Sequence, residues 1–327
     1  MRDIPRPKAH PFSGIAIRHE FDWGSLPEDL DYHDIKSMDY AVHALEQTHE
    51  RPFFLALGLF RPHLPWYSPS EFFHNYPLSD ITMPPRKEDD LNDIPKAGRA
   101  QVNSREFELI RKHKKYREAV QANLAAITFA DSQVGRVLDA LDASPYVRNT
   151  VIVLWSDHGW HLGSKNHWHK WTLWEEATRV PFIIAAPDQK QPGVPSASPV
   201  NLLDLFPTLT AVCDLPTPAG MDGIDLTPLV SDPSAERGRP VTIERERGQS
   251  AVRDARYRYI RYQDGSEELY DLSRDPNEWT NRAAAPELAA TKARLAEFAT
   301  REWRTSVPGK GAFTFDPKTY TWKRKKK

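Results

Sequence analysis

The chain is poor in cysteine. A single one, Cys213, among 327 residues excludes an internal disulfide framework and any zinc cluster built on cysteine pairs. It is equally poor in net charge: 44 Lys and Arg against 45 Asp and Glu leave −1, so bulk charge gives no support to nucleic-acid binding. No apolar run approaches the ~20 residues of a membrane-spanning helix. Met1-Arg2-Asp3-Ile4-Pro5-Arg6-Pro7 has no apolar stretch of the kind that marks a secretory signal. No Ser, Thr or Cys sits in a nucleophile turn of the G-x-S-x-G type. What is present is a globular balance, 39% hydrophobic and 27% charged residues. The length suits one large domain or two of about 150 residues each.

The opening stretch, with Pro5, Pro7, Pro11 and Pro27 around Phe21-Asp22-Trp23, reads as irregular. From Asp31 the spacing of Ile35, Met38, Val42 and Leu45 predicts a helix that Pro52 stops. Phe53-Phe54-Leu55-Ala56-Leu57 is continuously apolar and predicts a buried strand of a parallel sheet. Residues 79–105 read as a long polar loop. Tyr116 to Leu141 predicts the longest helix, with Val120, Leu124, Ile127, Val134, Val137, Leu138 and Leu141 as its apolar stripe. Two further buried strands are expected at Thr150–Trp155 and Pro181–Ala186, and a short helix at Asn201–Cys213. This alternation predicts an α/β class with a mostly parallel sheet over residues 1–235. From 236 to 327 the grammar changes to four short strands, with Asp264-Gly265 as a hairpin turn. A closing helix follows with Leu288, Leu295, Phe298 and Trp303 inward, and then the basic tail Lys323-Arg324-Lys325-Lys326-Lys327.

Chemistry concentrates at strand ends, where ligands bind in open α/β sheets. Ser156-Asp157-His158-Gly159-Trp160-His161-Leu162-Gly163 follows the strand at 150–155 directly. A carboxylate and an imidazole side by side can turn toward one divalent ion, or can simply cap the next helix. His167-Trp168-His169-Lys170-Trp171 follows; a lysine there suits an anionic group such as sulfate or phosphate, or it snorkels from a surface loop. His63, held between Pro62 and Pro65 and followed by Trp66 and Tyr67, can give a proton or hydrogen bond to an anion. His33, His43 and His49 read as solvent-facing, and Cys213 as a buried small hydrophobe.

Taken together, Arg61-Pro62-His63-Leu64-Pro65-Trp66, Ser156-Asp157-His158-Gly159-Trp160-His161-Leu162-Gly163, Trp168-His169-Lys170 and Ala177-Thr178-Arg179-Val180-Pro181 resemble the sulfatases, closest to bacterial members similar to iduronate-2-sulfatase. Glu268-Leu269-Tyr270-Asp271-Leu272 with Asp275-Pro276-Asn277-Glu278 resembles their C-terminal subdomain. The resemblance implies an alkaline-phosphatase-like α/β core, a smaller C-terminal sheet, and calcium-dependent hydrolysis of sulfate esters by a formylglycine made from cysteine. By position it implies that Asp157 and His158 belong to a calcium site and that His63, His158 and Lys170 act on the sulfate. Trp66, Tyr67, His167 and Trp168 are then candidates for the organic part of a sulfated small molecule or saccharide. The family is usually exported.

The sequence departs from the family where the nucleophile is expected. Cys213 is followed by Asp214-Leu215-Pro216-Thr217, not by the family's C-x-P/A-x-R, and Ser231-Asp232-Pro233-Ser234-Ala235 lacks the arginine. The nearest acidic pair, Asp89-Asp90, lies in the polar loop rather than after a buried strand. The family's first-half motifs are thus not found here, and this chain alone is expected to be inactive, with an incomplete metal site and an exposed apolar sheet edge. Two other readings stay open: a phosphoesterase of the same superfold, and a non-catalytic protein that binds sulfated glycans.

Overall fold

Strand pairing begins inside the stretch that reads as irregular. In the computed structural model, which describes residues 11–28, 30–187, 189–303 and 313–325, β1 (Trp23–Leu26) pairs in parallel with β2 (Trp66–Pro69), Trp23 against Trp66. Four residues with so distant a partner carry no local signal. Pro5 and Pro7 lie outside the described residues. Between the two strands, α1 (His33–Glu46) buries Asp34, Met38, Ala41 and Leu45. α2 (Ser70–His74) follows β2 directly. The polar stretch 79–105 holds one short helix, α3 (Lys96–Arg99), before α4 (Arg105–Lys112).

The long helix is α5 (Tyr116–Asp142), but its buried face differs from the expected aliphatic stripe. Ala119, Ala122, Ala125, Ala126, Phe129 and Ala130 face the interior with Val120 and Leu141 of the expected stripe, whereas Ile127 and Leu138 are exposed. Alanines let α1 and β2 approach α5 closely, so packing distance overrides bulk hydrophobicity in choosing the face.

β3 (Ile152–Trp155) and β4 (Phe182–Ala185) form at two of the three expected apolar strands, with α6 (Glu175–Thr178) between them. They pair antiparallel, Ile152 against Ala185. The third, Phe53–Leu57, is a correction: it joins no ladder among the described residues and is largely exposed. Unbroken apolarity records what a segment has to be covered by, and here nothing among the described residues covers it. α7 (Leu205–Val212) follows a 3-10 turn over Leu202–Asp204 that Asn201 and Asp204 close as a capping box. Cys213, expected to be buried, is exposed at the end of α7; Leu215 just after it and Phe206 at the start of the helix are exposed as well. α8 (Thr227–Ser231) leads toward the second sheet.

That sheet is antiparallel and ordered β5 (Val241–Glu246), β6 (Gln249–Arg253), β7 (Tyr257–Arg261) and β8 (Glu267–Asp271). Gly265 takes φ 84° in the β7–β8 turn, as the Asp-Gly signal predicts. α9 (Ala289–Ala296) lays Leu295 against Val252, Tyr259 and Leu269. Leu288 packs beside them, whereas Phe298, expected inward, is exposed. The basic tail is a hairpin as far as it is described, β9 (Phe313–Asp316) against β10 (Thr321–Arg324). Lys326 and Lys327 lie outside the described residues.

Two apolar clusters position the site. One joins Trp23, Leu64, Trp66, Phe107, Ala119, Ala122 and Trp168 under the loops that follow the strands. The other joins Ile94, Leu173 and Trp174 to Ala251, Ile260, Tyr262 and Tyr270 of the second sheet.

Candidate active site

The His63 loop is fixed from α1. Asp34, buried near the start of that helix, accepts the backbone N–H groups of Phe60 (2.5 Å) and Arg61 (3.2 Å). Arg61 is itself buried and donates Nε to the Tyr67 carbonyl at 2.8 Å. Trp66 donates Nε1 to the Pro62 carbonyl at 2.9 Å, and so closes the loop on itself. Sequence reading misses Asp34, because the contacts that define it join residues far apart in the chain, and it quotes Arg61 only as part of a motif.

The second loop leaves β3 at Ser156. Gly159 donates its N–H to Ala177 (2.9 Å), and a β-carbon there would lie 2.0 Å from the Glu176 carbonyl oxygen. Only glycine allows this approach of two backbones. His158 donates Nδ1–H to the Gly159 carbonyl at 2.8 Å, which leaves Nε2 as the acceptor. Lys170 donates to that Nε2 at 2.7 Å, so His158 is neutral and its tautomer is set. Asp157 sits beside it, Oδ2 3.5 Å from His158 Nε2, with its side chain 81% exposed.

His63 completes the group. Its Nδ1 donates to the Leu64 carbonyl at 2.5 Å. Burial holds the imidazole below its ordinary range, and the charges of Lys170, His158 and Arg61 push it the same way, against the Leu64 hydrogen bond. His63 is therefore neutral at pH 7 with Nε2 unprotonated. The structure brings His63, His158 and Lys170 into one electrostatic neighbourhood, with Asp157 at its rim.

Four residues expected to contact substrate lie inside the fold. Trp66, Tyr67, His167 and Trp168 are all buried. Trp168 stacks on Phe107 at 5.7 Å with a 7° interplanar angle. Tyr67 donates its hydroxyl to Asp22 at 2.6 Å. His167 accepts the Asn103 N–H at Nδ1 (2.7 Å) and donates Nε2–H to the Lys170 carbonyl (2.9 Å). Large aromatic surface was better used as the floor of these loops than as a wall facing solvent. Behind them His161 is fully buried between Ser164 and Thr172, and burial pushes its imidazole far down.

A family model described as Sulfatase matches residues 8–215. The chain belongs to the sulfatase family. The members of this family are sulfuric ester hydrolases. A second model, described as N-sulphoglucosamine sulphohydrolase, C-terminal, matches residues 163–303 of this sulfatase chain. It is 39% identical over 273 residues to a sulfatase of Formosa agariphila, covering 81% of this chain and 53% of that protein. It is 32% identical over 233 residues to iduronate 2-sulfatase of Mus musculus, covering 60% of this chain and 41% of that protein. The chain thus spans about half the length of the curated relatives it matches. Its fold is that of BT4656, solved in complex with its substrate D-glucosamine-2-N,6-O-disulfate: TM-score 0.68, 20% identity, 81% of this chain and 68% of that one. The alkaline-phosphatase-like α/β core is shown by this likeness.

Sulfatases generally use a divalent metal. Among the described residues no group of three or more His, Cys, Asp and Glu side chains could hold one. Ca²⁺ takes 6–8 oxygen ligands, while Asp157 offers one open carboxylate and the Nε2 of His158 is engaged by Lys170. The described residues do not fit a calcium site. Among them, too, no helix is long and apolar enough to cross a membrane.

Proposed function

We propose that His63, His158 and Lys170 hold the sulfate group of a sulfated saccharide, and that this chain alone binds such an ester without turning it over. The observation that carries the reading is the Lys170 ammonium 2.7 Å from a neutral His158 and close in charge to a neutral His63. Lys170 is the donor of this group, because sulfate oxygens only accept and each neutral ring has its single N–H on a backbone carbonyl. Lys170 supplies the charge, and the imidazoles add no repulsion between like charges. An anion lodged there offsets the charges of Lys170 and Arg61, which add to the depression that burial chiefly causes at His63. Its Nε2 can then take up a proton and present it to a leaving oxygen.

Support for a saccharide comes from the relatives, whose names include iduronate 2-sulfatase and whose solved neighbour holds a sulfated glucosamine. Support for binding without turnover comes from the sequence. It has no C-x-P/A-x-R, and Cys213 lies on α7 with Asp214-Leu215-Pro216 after it.

Calorimetric titration of glucosamine 6-sulfate into the purified chain tests the reading. Lys170→Ala is expected to weaken binding about tenfold or more, as loss of a hydrogen bond to a charged group of ~1.5–3 kcal/mol implies. Millimolar calcium is expected to change nothing. Equal affinity for the variant would sink the sulfate site. Aryl sulfate hydrolysis by this chain above the Lys170→Ala background would overturn the second half of the proposal.

A further inference from the structure

Trp171 follows Lys170 directly and is 59% exposed, whereas Trp66, Trp168 and Trp174 are buried. Leaving an indole in water forfeits the apolar burial that fixes those three. Its backbone is unusual as well. Trp171 takes φ 76°, in the left-handed region that favours glycine. A bulky residue is there only when its surroundings hold it.

The surroundings do hold it, at three consecutive residues. The Lys170 carbonyl accepts His167 Nε2–H at 2.9 Å. The Trp171 carbonyl accepts the Nε–H of Arg245, a residue of β5, at 2.5 Å. The Thr172 hydroxyl meets Nε2 of the buried His161 at 2.8 Å. Arg245 is itself fixed: it donates Nη1–H to Gln249 Oε1 at 3.4 Å, and that oxygen also accepts the Gln101 amide at 2.7 Å. Backbone strain over-determined in this way clusters at ligand clamps.

The exposed ring stands against the group read above as the sulfate donor. Lys170 Nζ lies 5.9 Å from the centroid of the Trp171 ring, over its face, and 2.7 Å from His158 Nε2. An ester whose anion sits on that ammonium therefore carries its organic part past the indole. A pyranose offers an apolar C–H face beside its ester oxygen, and a flat indole matches that face without asking for a hydrogen bond.

We propose that Trp171 is the platform for the sugar ring of a saccharide whose sulfate is held by Lys170, and that Arg245 is the positioning residue that keeps the platform in place. The proposal rests on the reading of Lys170 as a sulfate donor. It also gives the second sheet a part in the site, because β5 supplies the anchor.

The test compares glucosamine 6-sulfate with inorganic sulfate by calorimetric titration of the whole chain. Both ligands carry the anion and one carries the ring, so the ratio of their affinities reads the platform. In Trp171→Gly the preference for the sugar sulfate is expected to fall about fivefold, the worth of one aromatic stacking contact. Affinity for inorganic sulfate is expected to stay within about twofold. Glycine also relieves the left-handed backbone, so the melting temperature of this variant is expected to equal or exceed the parent's. Trp171→Phe keeps a flat apolar ring and is expected to keep about half of the preference. Arg245→Gln is expected to lower the same ratio, and Arg245→Gln with Trp171→Gly to match Trp171→Gly alone, since no ring is left to position.

A ratio unchanged in Trp171→Gly would overturn the platform and leave the sulfate site standing. So would equal weakening of both ligands together with a lowered melting temperature, the signature of a merely structural tryptophan. A double variant with a lower ratio than Trp171→Gly would overturn the role given to Arg245. Sugar-sulfate binding that ignores Lys170→Ala yet is lost in Trp171→Gly would defeat the sulfate site and leave the platform. Binding of neither ligand by the parent would defeat both.

Discussion

His167 shows how a residue can serve the site without reaching it. Both ring nitrogens are used, one on the Asn103 N–H and one on the Lys170 carbonyl, and the ring is buried. Burial pushes its pKa down to about 4, with His169 and Arg245 adding to the shift. The sign of the consequence is fixed by linkage. Unfolded, the imidazole titrates near 6.5. Between that value and about 4 the unfolded chain binds a proton that the folded one refuses, so stability falls as pH drops through this window and is level above it. A difference of this size corresponds to on the order of 3 kcal/mol at full protonation. In His167→Gln the amide can still accept from Asn103 and donate to Lys170, but it cannot titrate. Urea unfolding at pH 7 and pH 4.5 is expected to show a smaller acid loss for the variant than for the parent. Part of the loss stays in the variant because His161 is also held neutral. Identical losses would mean that His167 is not held neutral. None of this was legible in the sequence, which marks His167 only as one more polar residue in an aromatic loop and suggests a substrate contact.

Between elements, buried charge does what turn residues and helices alone do not. The loop after β3 is anchored by Lys165, whose ammonium reaches Asp90 at 2.7 Å and the Glu278 carbonyl, and whose backbone N–H donates to Asp90 at 3.1 Å. Lys165 and Asp90 are both buried, and they join the polar stretch 79–105, the site loop and the segment after β8. Asp90 reads from sequence as half of an acidic pair in a polar loop; Asp89 is the exposed member. Removing one partner leaves the other charged in the interior. Lys165→Met is expected to cost ~3–5 kcal/mol. Asp90→Asn with Lys165→Met is expected to recover at least half of that, because the amide oxygen still accepts the backbone N–H. Chemical denaturation of the two variants checks both statements, and a double variant as unstable as the single one would refute the ion-pair account. The elements themselves were more legible than their partners. Periodicity finds α1 and α5, and turn chemistry with short alternation finds β5 to β8, because those signals are local. It fails at β1, at the alanine face of α5 and at Phe53–Leu57, where pairing or packing is decided by residues distant in the chain.

At the scale of the molecule the question is whether the second sheet is an appendage or part of one folding unit. Trp174, next to α6, is buried against Ala251, Ile260, Tyr262 and Tyr270. It donates Nε1 to Glu268 at 2.8 Å, and that carboxylate also accepts the Tyr262 and Tyr270 hydroxyls. Burial raises Glu268 above its ordinary range against all three donors, so the carboxylate depends on them. Arg258 of β7 reaches Glu175 of α6 and, at 2.9 Å, Glu278. With an apolar cluster and two buried polar networks crossing the join, the α/β part and the β5–β8 sheet share their stabilising contacts. Elements that share a core lose it together, so the chain is expected to unfold in one transition by far-ultraviolet circular dichroism and by tryptophan fluorescence. Trp174→Ala removes the shared ring and one donor to Glu268, at a cost of ~3–5 kcal/mol for the large-to-small change. It is expected to separate the two probes' midpoints, the circular dichroism one retaining a later phase from whichever part is the more stable. Two separate transitions in the parent protein, or coincident midpoints in Trp174→Ala at unchanged stability, would show that the join carries no coupling. A chain that spans about half of its relatives would otherwise be expected to behave as loose pieces. The Trp174–Glu268 contact is the physical reason that this part of the fold holds together even where the Phe53–Leu57 edge is open to water.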